Sequence, residues 1–336
     1  MLPAILVTGG AGYIGSHTAL LLAQLGYQII IVDSFKHKQH FNPSWATVIE
    51  QDIGDRKALD ALFATHNIKA VMHFAASIEV GESVKNPALF YENNVSNTIG
   101  LLQVMLNHGV NKIIFSSSCA VFGNPEGLTL HEEHPKRPLS PYGSTKYMVE
   151  TILEDFHKAY GLEYVILRYF NAAGAWPEFG LGEQHEPETH IIPLLLRAAL
   201  QRKPFTVFGT DYPTPDGTAL RDYVHVRDIA QAHVLAFKHL EKGRPSDSFN
   251  LGTGNAISVK QMLEAVERVT HTQVPVVWGE RRAGDPARLQ AAPEKAHMIL
   301  NWHPQYSEID FILQSALAFH TNLPLKHEPM REILRS

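Results

Sequence analysis

Ala4-Ile5-Leu6-Val7-Thr8 is a continuous apolar run that breaks into Gly9-Gly10-Ala11-Gly12-Tyr13-Ile14-Gly15, and this junction restricts the fold more than any other stretch. An apolar run without alternation is a strand buried on both faces. Leu20, Leu21, Leu22 and Leu25 then fall on one side of a helix that stops at Gly26. Gln28-Ile29-Ile30-Ile31-Val32 is a second strand, ending at Asp33. Strand, glycine turn, helix, strand, acid is the context a dinucleotide fingerprint requires. Gly9 permits the tight turn, Gly12 lets backbone N–H groups approach a pyrophosphate, and Gly15 lets the helix pack on the strand. The helix N-terminus at Tyr13 and Ile14 adds its partial positive charge. Asp33 can accept both adenosine ribose hydroxyls and would repel a 2′-phosphate, which favours NAD over NADP. Lys36 and Lys38 are the one feature that argues for NADP, and they read as solvated loop charges.

The alternation continues. Thr47-Val48-Ile49-Glu50 leads to Asp52 and Ile53, and a helix covers Arg56–Thr65. A fourth strand, 70–74, ends in Ala75-Ala76, and a long helix carries Leu101, Leu102, Val104, Met105 and Leu106. Lys112-Ile113-Ile114-Phe115 is a fifth strand ending in Ser116-Ser117-Ser118, and Tyr164-Val165-Ile166-Leu167-Arg168 is a sixth. Six strands alternating with helices predict an α/β fold with a doubly wound parallel sheet. Ligands in such sheets sit at the carboxyl ends of the strands. The chain is expected to divide into a dinucleotide-binding domain at 1–175, a smaller C-terminal α/β substrate lobe at 176–323, and a polar tail at 324–336. In the lobe, strands are expected at 205–208 and 223–226, and helices near 190–201, 228–240 and 259–269.

Ser140-Pro141-Tyr142-Gly143-Ser144-Thr145-Lys146 opens a further helix, with Pro141 just inside its start. Residues four apart share a helix face, so Tyr142 and Lys146 project into one volume. A free phenol titrates near ~10, and lowering its pKa by one costs ~1.4 kcal/mol. Bringing Tyr142 to neutrality needs roughly 4 kcal/mol, from Lys146 and one further positive charge. A tyrosine tuned in this way is a general base for an alcohol proton.

Composition narrows the class. A formal charge of −5 leaves no electrostatic footprint for nucleic acid. No apolar run approaches a membrane span. The start lacks the basic region of a signal peptide, and the single cysteine, Cys119, excludes an internal disulfide, so a cytoplasmic enzyme is expected. His131-x-x-His134 and His37-x-x-His40 have metal-type spacing but no obvious third ligand, so no metal is expected.

The glycine turn, Asp33, the strand-end Ser118, and Tyr142 with Lys146 together resemble the extended short-chain dehydrogenase/reductases. Val80-Gly81-Glu82-Ser83-Val84, Leu167-Arg168-Tyr169-Phe170-Asn171, Phe208-Gly209-Thr210-Asp211-Tyr212, Arg221-Asp222-Tyr223-Val224-His225-Val226 and Arg281-Arg282-Ala283-Gly284-Asp285 narrow the resemblance to the UDP-glucose (UDP-galactose) 4-epimerases. The resemblance implies a Rossmann-type sheet, tightly held NAD, and interconversion of UDP-galactose and UDP-glucose through a 4-keto sugar. It makes Tyr142 the base, Ser118 the proton relay, and Lys146 their partner. It places Asn94 and Phe170 at the nicotinamide, Asp52 and Ile53 at the adenine, and Phe74, Ala75 and Ala76 at the middle of the cofactor. It assigns Asn171, Arg221, Arg282 and Asp285 to UDP, and Phe208 to the uracil. His190 stands where some epimerases have asparagine, as a further substrate contact. Ile78 replaces a lysine of the family pattern, which puts that cofactor contact in doubt.

Sister dehydratases and decarboxylases place acids just after the strand-end hydroxyl, whereas this chain has Cys119 and Ala120. Continued strand alternation would turn Cys119 away from the site as a buried, inert thiol. Leu289 aligns with a position whose bulk is associated with accepting or rejecting N-acetylated sugars. That leaves UDP-GlcNAc/UDP-GalNAc, or UDP-xylose/UDP-arabinose, as alternative substrates. A dehydrogenase that exchanges its cofactor and a non-catalytic cofactor sensor are the competing classes. The intact Ser118, Tyr142 and Lys146 set argues against the sensor. The resemblance also implies a homodimer through the helices after Asn86 and after Tyr142.

Overall fold

The computed structural model describes residues 3–36, 41–125, 127, 129–185, 187–282 and 285–325. The first half runs β1 (Ala4–Thr8), α1 (Tyr13–Gln24), β2 (Gln28–Asp33), β3 (Thr47–Glu50), α2 (Arg56–Thr65), β4 (Ile68–His73), α3 (Val80–Lys85) and α4 (Pro87–Phe90). A π-helical turn, Tyr91–Ser96, leads into α5 (Asn97–Asn107), followed by β5 (Lys112–Ser118), α6 (Pro141–Tyr160) and β6 (Glu163–Tyr169). The second half holds β7 (Asn171–Ala173), α7 (Ile191–Gln201), β8 (Phe205–Phe208), β9 (Leu220–His225), α8 (Val226–Glu241), β10 (Asp247–Leu251) and β11 (Ala256–Ser258). It closes with α9 (Val259–Thr270), β12 (Val276–Gly279), β13 (Arg288–Leu289), α10 (Glu294–Leu300) and α11 (Ile309–Thr321).

The main sheet has seven parallel strands in the order β10-β6-β5-β4-β1-β2-β3, so the chain reverses its winding between β1 and β4. A crevice at the carboxyl ends of these two strands follows from that reversal. One core layer joins Ile5, Val7 and Ile31 to Leu20 and Leu22 of α1 and Phe237 of α8. The opposite layer joins Leu6, Val71 and Ile113 to Leu59, Leu101 and Leu153 of α2, α5 and α6. Burial on both faces is why the strands read as unbroken apolar runs. A third cluster, with Leu195, Leu196, Met262, Val266 and Leu313, fills the lobe between α7, α9 and α11.

The sheet differs from the expected six strands by β10, which pairs in parallel with β6. Helix α8 packs on α1, so two pieces of the segment beyond residue 175 complete the large sheet's layers. The helix carrying Leu101 is shorter at its start than a continuous reading gives, because the π-helical turn precedes it. Among the described residues no helix is long and apolar enough to cross a membrane. Most of the expected polar tail, residues 326–336, lies outside the described residues, as do His37, Lys38, His40, Ala283 and Gly284.

Candidate active site

The glycine turn is closed by contacts that leave no room for side chains. Gly9 has φ +69°, and a Cβ there would stand 2.6 Å from the Ala75 nitrogen. A Cβ on Gly15 would stand 2.3 Å from the Gly9 carbonyl oxygen, so the first turn of α1 lies directly on the end of β1. At Gly12 the same test gives 3.2 Å to Gly9 O. No side chain caps α1, so the N–H groups of Tyr13 and Ile14 begin a helix whose positive end faces the crevice. Asp33, at the end of β2, accepts the N–H of Ala11 at 3.0 Å and of Phe35 at 3.0 Å, holding the turn against the β2 exit. A backbone cradle over a helix N-terminus, with a carboxylate beside it, fits a dinucleotide diphosphate and ribose.

The loop after β4 forms the other wall. The N–H groups of Phe74 and Ala75 both donate to Thr8 O, and the Phe74 ring packs on His233 with centroids 4.6 Å apart. Buried Asn94, in the π-helical turn, accepts Ser77 N–H at 2.7 Å and donates to Ser77 O and to Thr145 Oγ1 of α6. Its side chain therefore ties the loop after β4 to α6. Ile53 is buried, and Ile78 is exposed in the same loop as Ser77. Lys36 pairs with Asp52 at 2.7 Å while staying 62% exposed, in keeping with a solvated loop charge, and the pair holds the Asp52 carboxyl below its ordinary pKa.

Helix α6 is positioned by local chemistry. Ser140 Oγ accepts Gly143 N–H at 3.2 Å, Pro141 opens the first turn, and Gly161 ends the helix at φ +72°. A Cβ on Gly143 would lie 2.7 Å from Ala120 O, so only glycine lets the start of α6 press onto the turn after Ser118. This brings the Tyr142 phenol to the Ser118 hydroxyl. Lys146 is buried one turn later, donates to Ser116 O at 2.8 Å, and lies 5.9 Å from the Tyr142 ring centroid.

Burial dominates the pKa of both groups, Tyr142 and Lys146. Burial raises Tyr142 to about 12, with the Ser118 hydroxyl pulling the other way. Burial also lowers Lys146 to about 7, partly offset by Glu150. A lysine whose charged form is disfavoured by burial, with its amine hydrogen-bonded to a carbonyl, lends the phenol little charge. Behind it, Glu150 is clamped by Arg168 through two bonds of 2.8 Å and by Ser117 Oγ at 2.5 Å.

Cys119 also departs from expectation. The strand ends at Ser118 and Cys119–Phe122 is a 3₁₀ turn, so alternation does not continue. The thiol lies against the Ser118 hydroxyl rather than away from it, and burial pushes it up to about 12, which keeps it inert. Cys119, Phe170 and Ala291 share a small apolar cluster against which Leu289 packs.

On the facing lobe, Arg221 of β9 donates to Leu220 O and Pro286 O and pairs with Asp285. The Arg282 guanidinium sits 4.1 Å over the Phe208 ring, and Asp285 N–H donates to Arg282 O, which links the two residues directly. Asn171 begins β7 opposite Tyr223. The structure thus gathers Arg221, Asp285, Arg282 and Phe208 as the resemblance implies. The His190 ring is turned to Glu183 and Glu188 at 3.0 and 3.2 Å. Their hydrogen bonds, against the opposing effect of burial, raise its pKa to about 10.

A sequence profile described as "NAD dependent epimerase/dehydratase family" matches residues 5–252. The chain belongs to that family. Among its relatives is a protein named UDP-glucose 4-epimerase from Halalkalibacterium halodurans, 48% identical over 322 residues, covering 96% of each chain. A crystal structure of UDP-glucose 4-epimerase from Brucella ovis in complex with NAD superposes at TM-score 0.92 and 45% identity, covering 96% of this chain and 100% of that one. The Bifidobacterium longum UDP-glucose 4-epimerase, in complex with NAD+ and UDP, superposes at TM-score 0.89 and 37% identity, covering 95% and 98%.

Family motifs do not by themselves single out Asp222. It is fully buried beside Arg221 and accepts Thr253 N–H and Oγ1–H at 2.8 Å, Gly254 N–H at 3.0 Å and Ala291 N–H at 3.2 Å. Asp222 stands just before the expected strand at 223–226 but inside the observed one, Leu220–His225. Gly143 was legible only as a neighbour of Tyr142, and the Glu150–Arg168 pair not at all. His131 and His134 form a local turn, with His134 Nδ1 accepting His131 N–H.

Proposed function

We propose that this chain is a UDP-glucose 4-epimerase that interconverts UDP-galactose and UDP-glucose through a 4-keto intermediate, with NAD held throughout. The observation that carries the reading is the meeting of Ser118, Tyr142 and Lys146 at the end of β5. The glycine cradle at the end of β1 is the site's proposed cofactor side, and the Arg221, Arg282 and Asp285 group its proposed nucleotide side. NAD, when bound, supplies the two-electron acceptor for the hydrogen at the sugar C4. The residues that would hold it are the Gly9, Gly12, Tyr13, Ile14 and Gly15 turn, Asp33, Asp52 and Ile53, and the 74–76 segment, with Asn94, Ser118, Tyr142, Lys146 and Phe170 towards the reacting end.

Tyr142 accepts the C4 hydroxyl proton, and Ser118, in contact with it, relays that proton. Because burial holds the phenol at about 12, the base form needs positive charge beyond what Lys146 provides. Proton abstraction is therefore confined to the loaded site. Lys146, with one donor on Ser116 O, fixes the floor of that site. Cys119 and Ala120 offer no acid for elimination, which separates the reaction from dehydration. The Arg221 and Arg282 forks suit diphosphate oxygens and Asp285 suits ribose hydroxyls.

A second reading, that N-acetylated UDP-sugars are accepted too, is favoured by Leu289. It packs against the Cys119 and Phe170 cluster and is smaller than the tyrosine of some family members. We further propose a cytoplasmic homodimer. The test is incubation of purified protein with UDP-galactose and no added NAD. UDP-glucose is expected to form. No UDP-glucose, with UDP-arabinose or UDP-xylose turned over instead, would move the assignment to a pentose epimerase.

A further inference from the structure

The segment between β7 and α7 gathers four metal-type donors to which the proposed mechanism assigns no step. Glu183, His185, Glu188 and His190 follow the spacing Glu-x-His-x-x-Glu-x-His, and one donor atom from each lies within 4.8 Å of the others. His190 Nδ1 stands 3.0 Å from Glu183 Oε1 and 3.2 Å from Glu188 Oε1, and His185 Nδ1 stands 3.6 Å from Glu183 Oε1. Ligands held ~2.0–2.1 Å from a tetrahedral ion stand roughly 3.3–3.4 Å from one another. These three of the six separations bracket that edge length, and the other three lie within 4.8 Å.

Hydrogen bonding accounts for only part of the arrangement. Glu188 Oε1 already accepts the N–H groups of Thr189 and His190 at 2.8 Å each. A single proton on His190 Nδ1 cannot point at two carboxylates at once. His185 Nδ1 is buried against Glu183 with no hydrogen-bond partner. The Glu183 and Glu188 side chains are 8% and 2% exposed, so two buried carboxylates face the one His190 ring between them. His190 is the N-cap residue of α7, yet its ring makes no capping bond.

We propose that Glu183, His185, Glu188 and His190 bind one Zn²⁺ ion as a closed, tetrahedral structural site. Two imidazoles with two carboxylates suit zinc better than the all-oxygen sets of magnesium or calcium. Four protein ligands leave no open position for water or substrate, which makes the site a clip rather than a catalyst. It joins the two ends of an eight-residue stretch. Gly182, at one end, packs where a Cβ would meet the Phe319 ring of α11 at 2.4 Å, and His190 starts α7 at the other. The ion therefore fastens α7 to α11 beside the cleft, and the His190 ring serves the metal rather than the sugar.

The test uses the full chain, stripped with a chelator, reloaded with Zn²⁺, gel-filtered and assayed for metal by mass spectrometry. About one zinc per chain is expected, with a higher melting temperature than the stripped protein and no such rise with Mg²⁺ or Ca²⁺. X-ray absorption at the zinc edge is expected to show only nitrogen and oxygen ligands at ~2.0–2.1 Å. His185→Gln is expected to cut retained zinc at least about tenfold, while His134→Gln leaves it unchanged. Loss of zinc on gel filtration of the unaltered chain, or undiminished zinc in His185→Gln, would overturn the site. The absorption spectrum of the unaltered chain decides the matter even where a variant fails to fold.

Discussion

Tyr142 is held by burial at about 12 and Lys146 is lowered to about 7, so neither carries its catalytic charge through the other alone. In the proposed mechanism the phenol, beside the Ser118 hydroxyl, is the group that takes the C4 hydroxyl proton. Tyr142→Phe removes that oxygen and leaves the glycine cradle intact. Turnover is expected to fall by about 10²–10⁴-fold with bound NAD unchanged, read by activity and by cofactor absorbance in one preparation. Near-normal turnover would dismiss Tyr142 as the base. Lys146 makes a separate, thermodynamic prediction. Its folded pKa is depressed below the unfolded value of 10.5, so the unfolded chain binds more protons between about 7 and 10.5. The stability tied to its neutral form is complete above 10.5 and is lost as pH falls towards 7, at up to ~1.4 kcal/mol for each step of one in pH. Denaturant midpoints measured from pH 7 to 9.5 should rise with pH more steeply in the native chain than in Lys146→Met. Parallel curves would mean that Lys146 is not titrating in that window.

Strand β9 carries Arg221, and Asp222 next to it is what ties the strand to its neighbours. A carboxylate accepting four hydrogen bonds fixes the 253–254 turn and the approach to Ala291. Asp222→Asn keeps the volume but turns an amide N–H towards one of those donors, at a cost of about 1–3 kcal/mol. The KM for UDP-galactose should rise roughly tenfold, with NAD content and the pH profile of kcat unchanged; an unaltered KM would relegate Asp222 to folding alone. Elements whose causes are local were legible in the chain. Ser140, Pro141 and Gly161 mark α6 by capping and turn chemistry, and Phe205–Phe208 is a strand as expected. Strand β10 was not legible. Asp247-Ser248-Phe249-Asn250-Leu251 is short, and it becomes a sheet strand because Phe249 and Leu251 find a core beside β6 that other segments build. The Arg221–Asp285 pair, 64 residues apart, and the Glu150–Arg168 pair, 18 apart, are long-range for the same reason. Alternation failed at Cys119 because the hydrogen bond from Ala120 N–H to Ser118 Oγ turns the chain out of the strand.

At the scale of the whole molecule, one face has apolar side chains that no described element covers. Val84 of α3 is 64% exposed, Leu89 of α4 is 46% exposed, and Met148 of α6 is 43% exposed. Helices α3 and α4 both pack against α6, so these residues belong to one surface. The start of α6 also carries Tyr142, which couples this surface to the site through a single rigid element. A second copy using the same face would pair the helices after Asn86 and after Tyr142 about a twofold axis, as a self-complementary patch requires. A stable pairing buries ~800 Å² per partner, mostly apolar at its centre. Placing a carboxylate there on both copies sets like charges against each other without a compensating cation. Met148→Glu combined with Leu89→Glu is therefore expected to convert a dimer into a monomer in sedimentation velocity. Because α6 loses its outer support, turnover should drop several-fold while bound NAD persists. A native chain that sediments as a monomer at micromolar concentration, or a double variant that remains dimeric, would remove this face from the interface.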